Sequence, residues 1–435
     1  MRGTAALGEA LAAAGVSCRA TEPPGWTGWL SPRLVAEPTT PADLARTLGA
    51  ASEVGAAVIP VGSWTKIRLG NPPRAADLLL STTGLNRVIE YEPANLTVIV
   101  ESGVVVRDLQ AKLAEKGQFL PLGDLAGTVG GVVAANASGP LRLGYGTARD
   151  LLIGSRIATS DGRLARAGGK VVKNVAGYDL GKLYVGSLGT LGVLVELAFK
   201  LAPLPASRAT HLSAHAGPAA AQEMAKRLLR SSLQPLAADL LSPAASAALG
   251  LLPPRWTLAV LVGGVPSAAP RQLDELGKLA LGVGGDTLGV LEEPASDDLW
   301  RRVTSLGEGD AYLQLKASVP IAEVAAAAEA LSSAAPSLGA PPVLWARAGS
   351  GIVYASWAAA PERATASVIA EGLARARRQL ASLGGALVFE KAPREVVAGM
   401  DVWGEVGESL AVMRALKAQF DPRGTLNPGR FVGGI

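Results

Sequence analysis

The sequence has little of the chemistry on which several protein classes depend. Its 435 residues include a single cysteine, Cys18, which excludes an internal disulfide and a cysteine-ligated iron–sulfur cluster. No uninterrupted apolar run reaches the roughly 18 residues that a membrane-spanning helix needs. No long basic block occurs, and the net charge is only +4, so a nucleic-acid-binding surface is not supported. What remains is a globular protein that we expect in a reducing compartment.

Two nucleotide-binding fingerprints are also missing. The nearest approach to G-x-G-x-x-G is residues 144–146 (GYG), and Arg149 stands where the third glycine belongs. Residues 169–171 (GKV) lack the Ser or Thr that completes a Walker A sequence. The Rossmann and P-loop fingerprints are therefore absent.

Length and apolar pattern predict an α+β protein of two domains, because 435 residues are too many for one ordinary core. Residues 1–14 read as an amphipathic helix rather than a signal peptide, since Gly8 and Glu9 interrupt the apolar run. Helix and strand signals then alternate up to two prolines, Pro203 and Pro205. We expect an N-terminal helix and lead-in at 1–30, a first domain at 31–205, a second at 206–405 and a C-terminal segment at 406–435.

Three glycine-rich loops, each beside a predicted strand, carry the strongest chemical signal. They are residues 61–65 (VGSWT), 127–139 (GTVGGVVAANASG) and 186–192 (GSLGTLG). Glycine permits a positive φ and close backbone approach, and exposed N–H groups can cradle a diphosphate. One such loop alone is more simply a turn in an alanine- and glycine-rich chain. Three such loops in the first domain favour a binding site for a diphosphate.

Two long strings and the tail identify a resemblance. The strings are residues 170–183 (KVVKNVAGYDLGKL) and 186–193 (GSLGTLGV), and the tail is residues 421–429 (DPRGTLNPG). In these residues the chain resembles the FAD-binding E subunits of bacterial glycolate oxidases, which belong to the vanillyl-alcohol-oxidase (PCMH-type) flavoprotein family. The resemblance spans residues 31–205 and 420–430. It implies a PCMH-type FAD domain of two subdomains, an α+β cap domain, and a C-terminal segment that returns to the FAD domain.

The same resemblance implies the positions of an FAD site. A pyrophosphate loop would be formed by Val61, Gly62, Ser63, Trp64 and Thr65. Pyrophosphate, ribose and the flavin edge would be lined by Gly127, Thr128, Gly130, Gly131, Asn136 and Gly139. The adenine side would meet the backbone of Gly192, Val193 and Leu194, and Asn427 would return towards the isoalloxazine. Cations of residues 170–182 would lie near the flavin. No histidine precedes His211, so we expect the FAD to be non-covalent.

The sequence departs from the family pattern in two ways. The first loop keeps only Gly62 of its usual glycine run, and the bulk of Trp64 puts close cofactor approach in question. In the cap segment, Arg347 stands where related catalytic subunits have a metal-binding histidine. Arg347 could clamp a substrate carboxylate, but a structural salt bridge is the simpler interpretation.

Other candidate residues have simpler interpretations. The spacing of His211 and His215 would suit two metal ligands on a helix, but their segment alternates like a strand at a domain edge. A surface or structural role is therefore expected, and no metal site is predicted. Tyr178 and Asp179 are either flavin neighbours or a core tyrosine and a helix cap. No catalytic base can be assigned.

These features together predict the FAD-carrying subunit of a glycolate or other 2-hydroxy-acid oxidoreductase complex. The implied partners are a homologous flavin subunit and an iron–sulfur subunit. The expected location is the cytoplasm or, through partners, the inner face of the membrane. Two alternatives stay open: a self-sufficient FAD-linked oxidase of another 2-hydroxy acid or alcohol, and a scaffold subunit that has lost its flavin, which Trp64 favours.

Overall fold

A computed structural model describes residues 2–20, 32–170, 178–362 and 364–435. Part of the family-like string, residues 171–177, lies outside the described residues, and with it Lys173, one of the cations expected near the flavin. The expected domain start at residue 31 also lies outside them. The chain divides into two compact units. Unit 1 comprises Met1–Ser138, Thr147–Leu204 and Asp401–Ile435, and unit 2 comprises Gly139–Gly146 and Pro205–Met400. The α+β class predicted from the sequence is confirmed.

The first sheet of unit 1 has four strands in the order β1-β2-β4-β3, with β1 antiparallel to β2 and the other pairs parallel. Its strands are β1 (Cys18–Ala20), β2 (Leu34–Ala36), β3 (Val58–Val61) and β4 (Leu78–Ser81). Helices α1 (Arg2–Ala13) and α2 (Pro41–Glu53) share a core with it. Thr40 caps α2 by accepting a hydrogen bond from the Asp43 amide, and Leu44, Leu48 and Ala51 form its buried stripe.

The second sheet of unit 1 is antiparallel throughout, in the order β5-β6-β10-β8-β9. Its strands are β5 (Val88–Glu92), β6 (Thr97–Glu101), β8 (Leu152–Ala158), β9 (Leu164–Gly168) and β10 (Val193–Lys200), while β7 (Gln118–Phe119) pairs with β11 (Ala202–Pro203). The remaining helices of unit 1 are α3 (Val106–Ala114), α4 (Val129–Ala134), α6 (Ala148–Leu151), α7 (Gly181–Tyr184) and α15 (Ser409–Phe420). Apolar side chains of β6, β10, α3 and α4 share one buried core.

The C-terminal segment extends the first sheet. The Val58 amide donates to the Thr425 carbonyl at 2.8 Å, and the Asn427 amide donates to the Val58 carbonyl at 2.9 Å. Leu426 forms a parallel bridge with Val58 and is fully buried. The end of the chain is thereby fixed beside β3, at the strand from which the first glycine loop leaves.

Unit 2 is built on an eight-stranded antiparallel sheet in the order β15-β12-β14-β13-β17-β18-β16-β19. Its strands are β12 (Ser207–His215), β13 (Ala237–Leu241), β14 (Trp256–Gly264), β15 (Asp286–Glu292), β16 (Leu313–Ser318), β17 (Val343–Arg347), β18 (Ile352–Trp357) and β19 (Ala386–Lys391). Its helices are α5 (Arg142–Tyr145), α8 (Pro218–Arg230), α9 (Pro243–Ala248), α10 (Ala269–Leu281), α11 (Ala295–Ser305), α12 (Val324–Ser332), α13 (Ala335–Leu338) and α14 (Ala366–Ser382). Gly139 opens the excursion Gly139–Gly146, which joins unit 2 because the Gly144 amide donates to the Leu236 carbonyl at 3.1 Å.

The structure decides between alternatives that the sequence left open for three residues. His211 and His215 do not lie at an edge or on the surface, because β12 has neighbours on both sides and both rings are buried. Tyr178 is not a core tyrosine, since 93% of its surface is exposed. No helix among the described residues is long and apolar enough to cross a membrane.

Candidate cofactor site

The first glycine loop begins where β3 ends, at Val61. Trp64 adopts a left-handed conformation with φ of 67°, which glycine usually provides. The Ile67 amide donates to the Trp64 carbonyl at 3.1 Å, and the Leu69 amide donates to the Lys66 carbonyl at 3.1 Å. These bonds turn the loop on itself.

Four amides of this loop and of the residue after it have no acceptor among the described residues. Across the described ranges, the structure gives no protein acceptor for the N–H groups of Gly62, Ser63, Thr65 and Lys66. A loop that keeps several amide donors unused at the end of a strand is suited to an anionic group such as a diphosphate.

The second loop packs against the first with no room for side chains. Thr128 caps α4 by accepting a hydrogen bond from the Gly131 amide at 3.2 Å. A Cβ atom on Gly62 would overlap the Thr128 hydroxyl, and one on Gly130 would lie 2.6 Å from the Ser102 Cβ. Gly127, with φ of 122°, lies against Thr65, whose hydroxyl would be 2.7 Å from an added Cβ. Glycine is therefore required at these contacts.

The third loop is fixed to α4 through its backbone. The Gly186 amide donates to the Val133 carbonyl at 3.0 Å, and the Leu188 amide donates to the Ala134 carbonyl at 2.8 Å. The side-chain amide of Asn427 donates to the Leu188 carbonyl, which connects the C-terminal segment to the same loop. All three loops thus meet at one place in unit 1.

Between the loops lie two adjoining pockets that form one cleft. Both are lined by Pro60, Val61, Gly62, Gly131, Ala134 and Leu188. One continues along the first loop to Asn427 and Arg430. The other continues to Ser102, Gly130 and residues 192–194.

Two residues that line this cleft each carry a buried polar atom without a partner. These atoms are the Ser102 hydroxyl and the side-chain oxygen of Asn427, and neither has a hydrogen-bond partner among the described residues. A buried polar atom without a partner costs roughly 1–3 kcal/mol. A ligand rich in donors and acceptors would remove that cost, so the cleft fits a dinucleotide cofactor on its own geometry.

The cleft brings together most of the residues that the sequence predicted. The predicted residues lining it are Val61, Gly62, Ser63, Trp64, Thr65, Thr128, Gly130, Gly131, Gly192, Val193, Leu194 and Asn427. Three predicted positions do not line it. Gly127 supports the first loop from behind, Asn136 is exposed, and Gly139 belongs to unit 2.

Several contributors to the cleft were not among the predicted site residues, and Ser102, Leu188 and Arg430 are examples. Ser102 follows β6 in sequence and reaches the cleft only because the Gly130 amide binds its carbonyl at 2.8 Å. Leu188 has φ of 51°, a conformation that its residue type does not predict. Arg430 directly follows the NPG string, which was the only available signal.

In unit 2, Arg347 forms a buried ion pair with Asp239. Burial raises the pKa of Asp239, and the charge of Arg347 opposes that rise. The guanidinium lies 5.7 Å from the Tyr354 ring centre, and Tyr354 stacks on Trp345 at 5.0 Å. Arg347 therefore forms a structural salt bridge with Asp239 and does not serve as a clamp for a substrate carboxylate.

The two histidines of β12 are also structural. Burial lowers the pKa of His211 to about 4 and lowers that of His215, so both rings are neutral near pH 7. The His215 ring bonds the Ser213 hydroxyl at 2.9 Å. No cluster of three His, Cys, Asp or Glu side chains that could hold a metal ion occurs within the described part of the chain.

Comparison with known proteins identifies the cofactor. Residues 32–168 match a family of FAD-binding domains, and residues 403–431 match the C-terminal domain of FAD-linked oxidases. The first match contains two of the three glycine loops, and the second contains Asn427 and Arg430. The prediction of FAD as cofactor is confirmed.

Relatives over longer stretches include subunits of one enzyme. Glycolate oxidase subunit GlcD of Bacillus subtilis is 28% identical over 92% of this chain and 88% of its own length. Subunit GlcE of Escherichia coli is 40% identical, but over only 33% of this chain and 42% of its own length. D-lactate dehydrogenase of Anaerostipes hadrus is 32% identical over 41% of this chain and 38% of its own length. The sequence resemblance to the E subunit in particular is therefore confirmed only at the level of FAD-linked oxidases.

A solved structure agrees with this fold. Alkyldihydroxyacetonephosphate synthase superposes with a TM-score of 0.67 at 16% identity, over 92% of this chain and 76% of that protein. At that identity the likeness shows the fold alone. The predicted PCMH-like arrangement of the FAD domain is confirmed.

Proposed function

We propose that this chain, an FAD-linked oxidoreductase, is the FAD-carrying subunit of a complex that oxidises a small 2-hydroxy acid such as glycolate. The observation that carries the proposal is the cleft of unit 1, where three glycine loops and Asn427 converge around unused donors and acceptors. Names of the relatives support the substrate class, since two are glycolate oxidase subunits and one is a D-lactate dehydrogenase.

FAD, when bound, supplies an acceptor for the hydride that leaves the CH–OH carbon of a hydroxy acid. The chain's own residues would hold it. The amides of Gly62, Ser63, Thr65 and Lys66 would bind the diphosphate. Asn427 and Ser102 would offer side-chain oxygens. Gly130 and Gly131 would let the cofactor approach the backbone. We infer that the FAD is non-covalent, because the histidines of the chain are His211 and His215, both buried in unit 2.

The residues outside the FAD cleft explain why we expect the chain to depend on partner subunits. Oxidation of a hydroxy acid requires a base or metal for the hydroxyl proton and a cation for the carboxylate. Arg347 is already paired with Asp239, and the two histidines are buried and neutral. One cysteine cannot hold an iron–sulfur cluster, so electrons leaving the flavin need another carrier. We therefore propose a homologous flavin subunit and an iron–sulfur subunit as partners.

A second candidate is a self-sufficient oxidase. The match to D-lactate dehydrogenase of Anaerostipes hadrus favours it, because the name of that relative does not mark it as a subunit.

Steady-state reduction of an artificial electron acceptor by the purified, FAD-loaded chain separates the two. With glycolate and then D-lactate supplied, we expect turnover near background, since losing a general base typically costs about 10²–10⁴-fold in rate. Turnover on the order of 1 s⁻¹ or more would establish the self-sufficient oxidase. Purification from the native host should, in addition, recover the chain together with an iron–sulfur protein.

A further inference from the structure

Arg430 is a buried cation without an acidic partner. Only 4% of its surface is exposed. Its Nε donates to the Leu69 carbonyl at 3.1 Å, and its Nη2 donates to the carbonyls of Leu69, at 2.9 Å, and Ile67. Within the described ranges, no carboxylate forms an ion pair with it. Burial lowers its pKa to about 10, and no acidic neighbour counters that change.

A half-buried cation of the same C-terminal segment shows the usual arrangement. Lys417 donates to the carboxylate of Asp421 at 2.6 Å, as well as to the carbonyls of Thr190 and Leu426. Its positive charge is therefore compensated inside the protein. Arg430, in the same C-terminal segment, binds only carbonyl oxygens among the residues that the structure describes. A buried charge that lacks a counter-ion is costly, so such a residue indicates that the counter-ion comes from outside the chain.

The position of Arg430 indicates which ligand supplies this counter-ion. It lines the part of the cleft bounded by the first loop and Asn427. Its Nη1 makes none of the bonds described above. The carbonyls that the guanidinium binds belong to Ile67 and Leu69, directly after the first loop. The same contacts therefore fix the stretch that carries the unused amides of Gly62, Ser63, Thr65 and Lys66 beside the cleft.

We propose that Arg430 is the counter-charge for the FAD diphosphate and the positioning residue of the loop that receives it. The inference rests on the FAD site of the proposed function and deepens it. Asp421 compensates the positive charge of Lys417 within the protein. The positive charge of Arg430 would be compensated by the diphosphate, and therefore only when FAD is bound.

Three variants test this assignment. Arg430→Met removes the charge and keeps much of the volume, Arg430→Lys keeps the charge but not the bidentate donors, and Arg423→Met is the control. Arg423 is an exposed arginine of the same segment that donates to the Ser52 carbonyl at 2.9 Å and does not line the cleft. FAD affinity is measured by fluorescence titration of the apoproteins, and the flavin midpoint potential by equilibration with reference dyes.

Arg430→Met should bind FAD about 10- to 100-fold more weakly, the range for a lost charge-assisted hydrogen bond. Arg430→Lys should lie between it and the wild type, and Arg423→Met should match the wild type. The midpoint potential of the bound flavin should stay unchanged, because a charge neutralised by phosphate acts equally on oxidised and reduced flavin. Unchanged FAD affinity in Arg430→Met overturns the proposal. A potential that falls together with the affinity also overturns it, since the charge would then act on the flavin ring.

If Arg430→Met does not fold, the wild-type apoprotein decides. ADP, which carries a diphosphate without the flavin, should raise its unfolding temperature, whereas adenosine should not; an equal response to both contradicts the assignment. A wild-type chain that binds no FAD at all would instead refute the proposed function.

Discussion

At the scale of single residues, Trp64 shows how a bulky side chain can occupy a cofactor loop. The sequence suggested that its bulk would block close approach. In the structure, φ is 67° and the side chain packs against the buried cluster of Val35, Ile59, Val61 and Leu79. The backbone therefore keeps the left-handed conformation that glycine would give, at a cost of about 1–2 kcal/mol for a non-glycine residue. The indole recovers part of that cost through packing.

The FAD affinity of Trp64 variants should depend on whether the new residue accepts a positive φ, and not on the size of its side chain. Trp64→Gly should still bind FAD, because glycine accepts a positive φ. Trp64→Val should lose at least about tenfold in affinity, or about 1.4 kcal/mol, because a β-branched residue opposes that conformation. FAD titration of both apoproteins measures this. Tighter binding by the valine variant than by the glycine variant would mean that side-chain size controls the loop.

Gly131 offers the cleaner steric probe of the cleft. A Cβ on Gly130 would lie 2.9 Å from the Ser102 carbonyl, so any substitution there disturbs the fold itself. A Cβ on Gly131 meets only the Thr128 hydroxyl at 3.1 Å, and Gly131 lines both pockets. Gly131→Val should weaken FAD binding by at least about tenfold. Gly8→Val, in a helix with nothing within 4 Å, is the matched control. Equal flavin content in the two variants would remove α4 from the site.

The pKa of His211 predicts a pH effect on stability. Burial lowers that pKa to about 4 from the ordinary value of 6.5 for histidine. Between these values the unfolded chain binds the proton more readily, so the free energy of unfolding falls as pH drops from 6.5 towards 4. Between pH 7 and pH 5, the free energy of unfolding of His211→Leu should fall by about 2 kcal/mol less than that of the wild type. The raised pKa of Asp239 has the opposite slope, but it is common to both proteins.

Urea unfolding at the two pH values, followed by tryptophan fluorescence, provides the test. Val368→Ala, at an exposed position in α14, should keep the wild-type pH dependence. If His211→Leu loses as much stability as the wild type between pH 7 and pH 5, His211 is not the titrating group.

At the scale of elements, sequence patterns predicted the loops and strands whose conformation depends on their own residues. Glycine marked the loops, because close packing and positive φ leave a direct trace in residue type. Alternation marked β12, but it could not show that both faces are covered. Met224 of α8 lies 3.2 Å from the Ser213 hydroxyl, and Gly277 of α10 approaches His211. Such burial depends on helices that are distant in sequence, as does the recruitment of Ser102 and Arg430 to the cleft.

The C-terminal segment is the element that most directly joins fold and site. Leu426 is fully buried beside β3, one residue before Asn427. Leu426→Ala should lower the free energy of unfolding by about 3 kcal/mol through loss of buried surface and the cavity left behind. It should also weaken FAD binding, because Asn427 is displaced.

Chemical denaturation and FAD titration measure the two effects of Leu426→Ala. The control is Val412→Ala in α15, at a side chain that is 63% exposed, which should change stability by less than about 0.5 kcal/mol. Equal destabilisation by the two alanine variants would show that the C-terminal segment is not a structural part of unit 1.

At the scale of the whole molecule, the cleft draws residues from almost the full length of unit 1, from Pro60 to Arg430. No single segment contains the site, which explains why short nucleotide fingerprints are absent from a protein with an FAD-binding domain. The partial matches at residues 32–168 and 403–431 cover both ends of this arrangement. Unit 2 forms its own sheet and core between them.

The central claim is that this cleft holds one FAD without a covalent bond. The measurement that tests it most directly is the absorbance spectrum and flavin-to-protein ratio of the purified full chain, before and after acid precipitation. We predict an oxidised-flavin spectrum, one FAD per chain, and all of the flavin in the supernatant once the protein is denatured. A colourless protein that takes up no flavin after incubation with FAD would contradict the account and favour a scaffold subunit, and flavin that stays with the precipitate would contradict the non-covalent site.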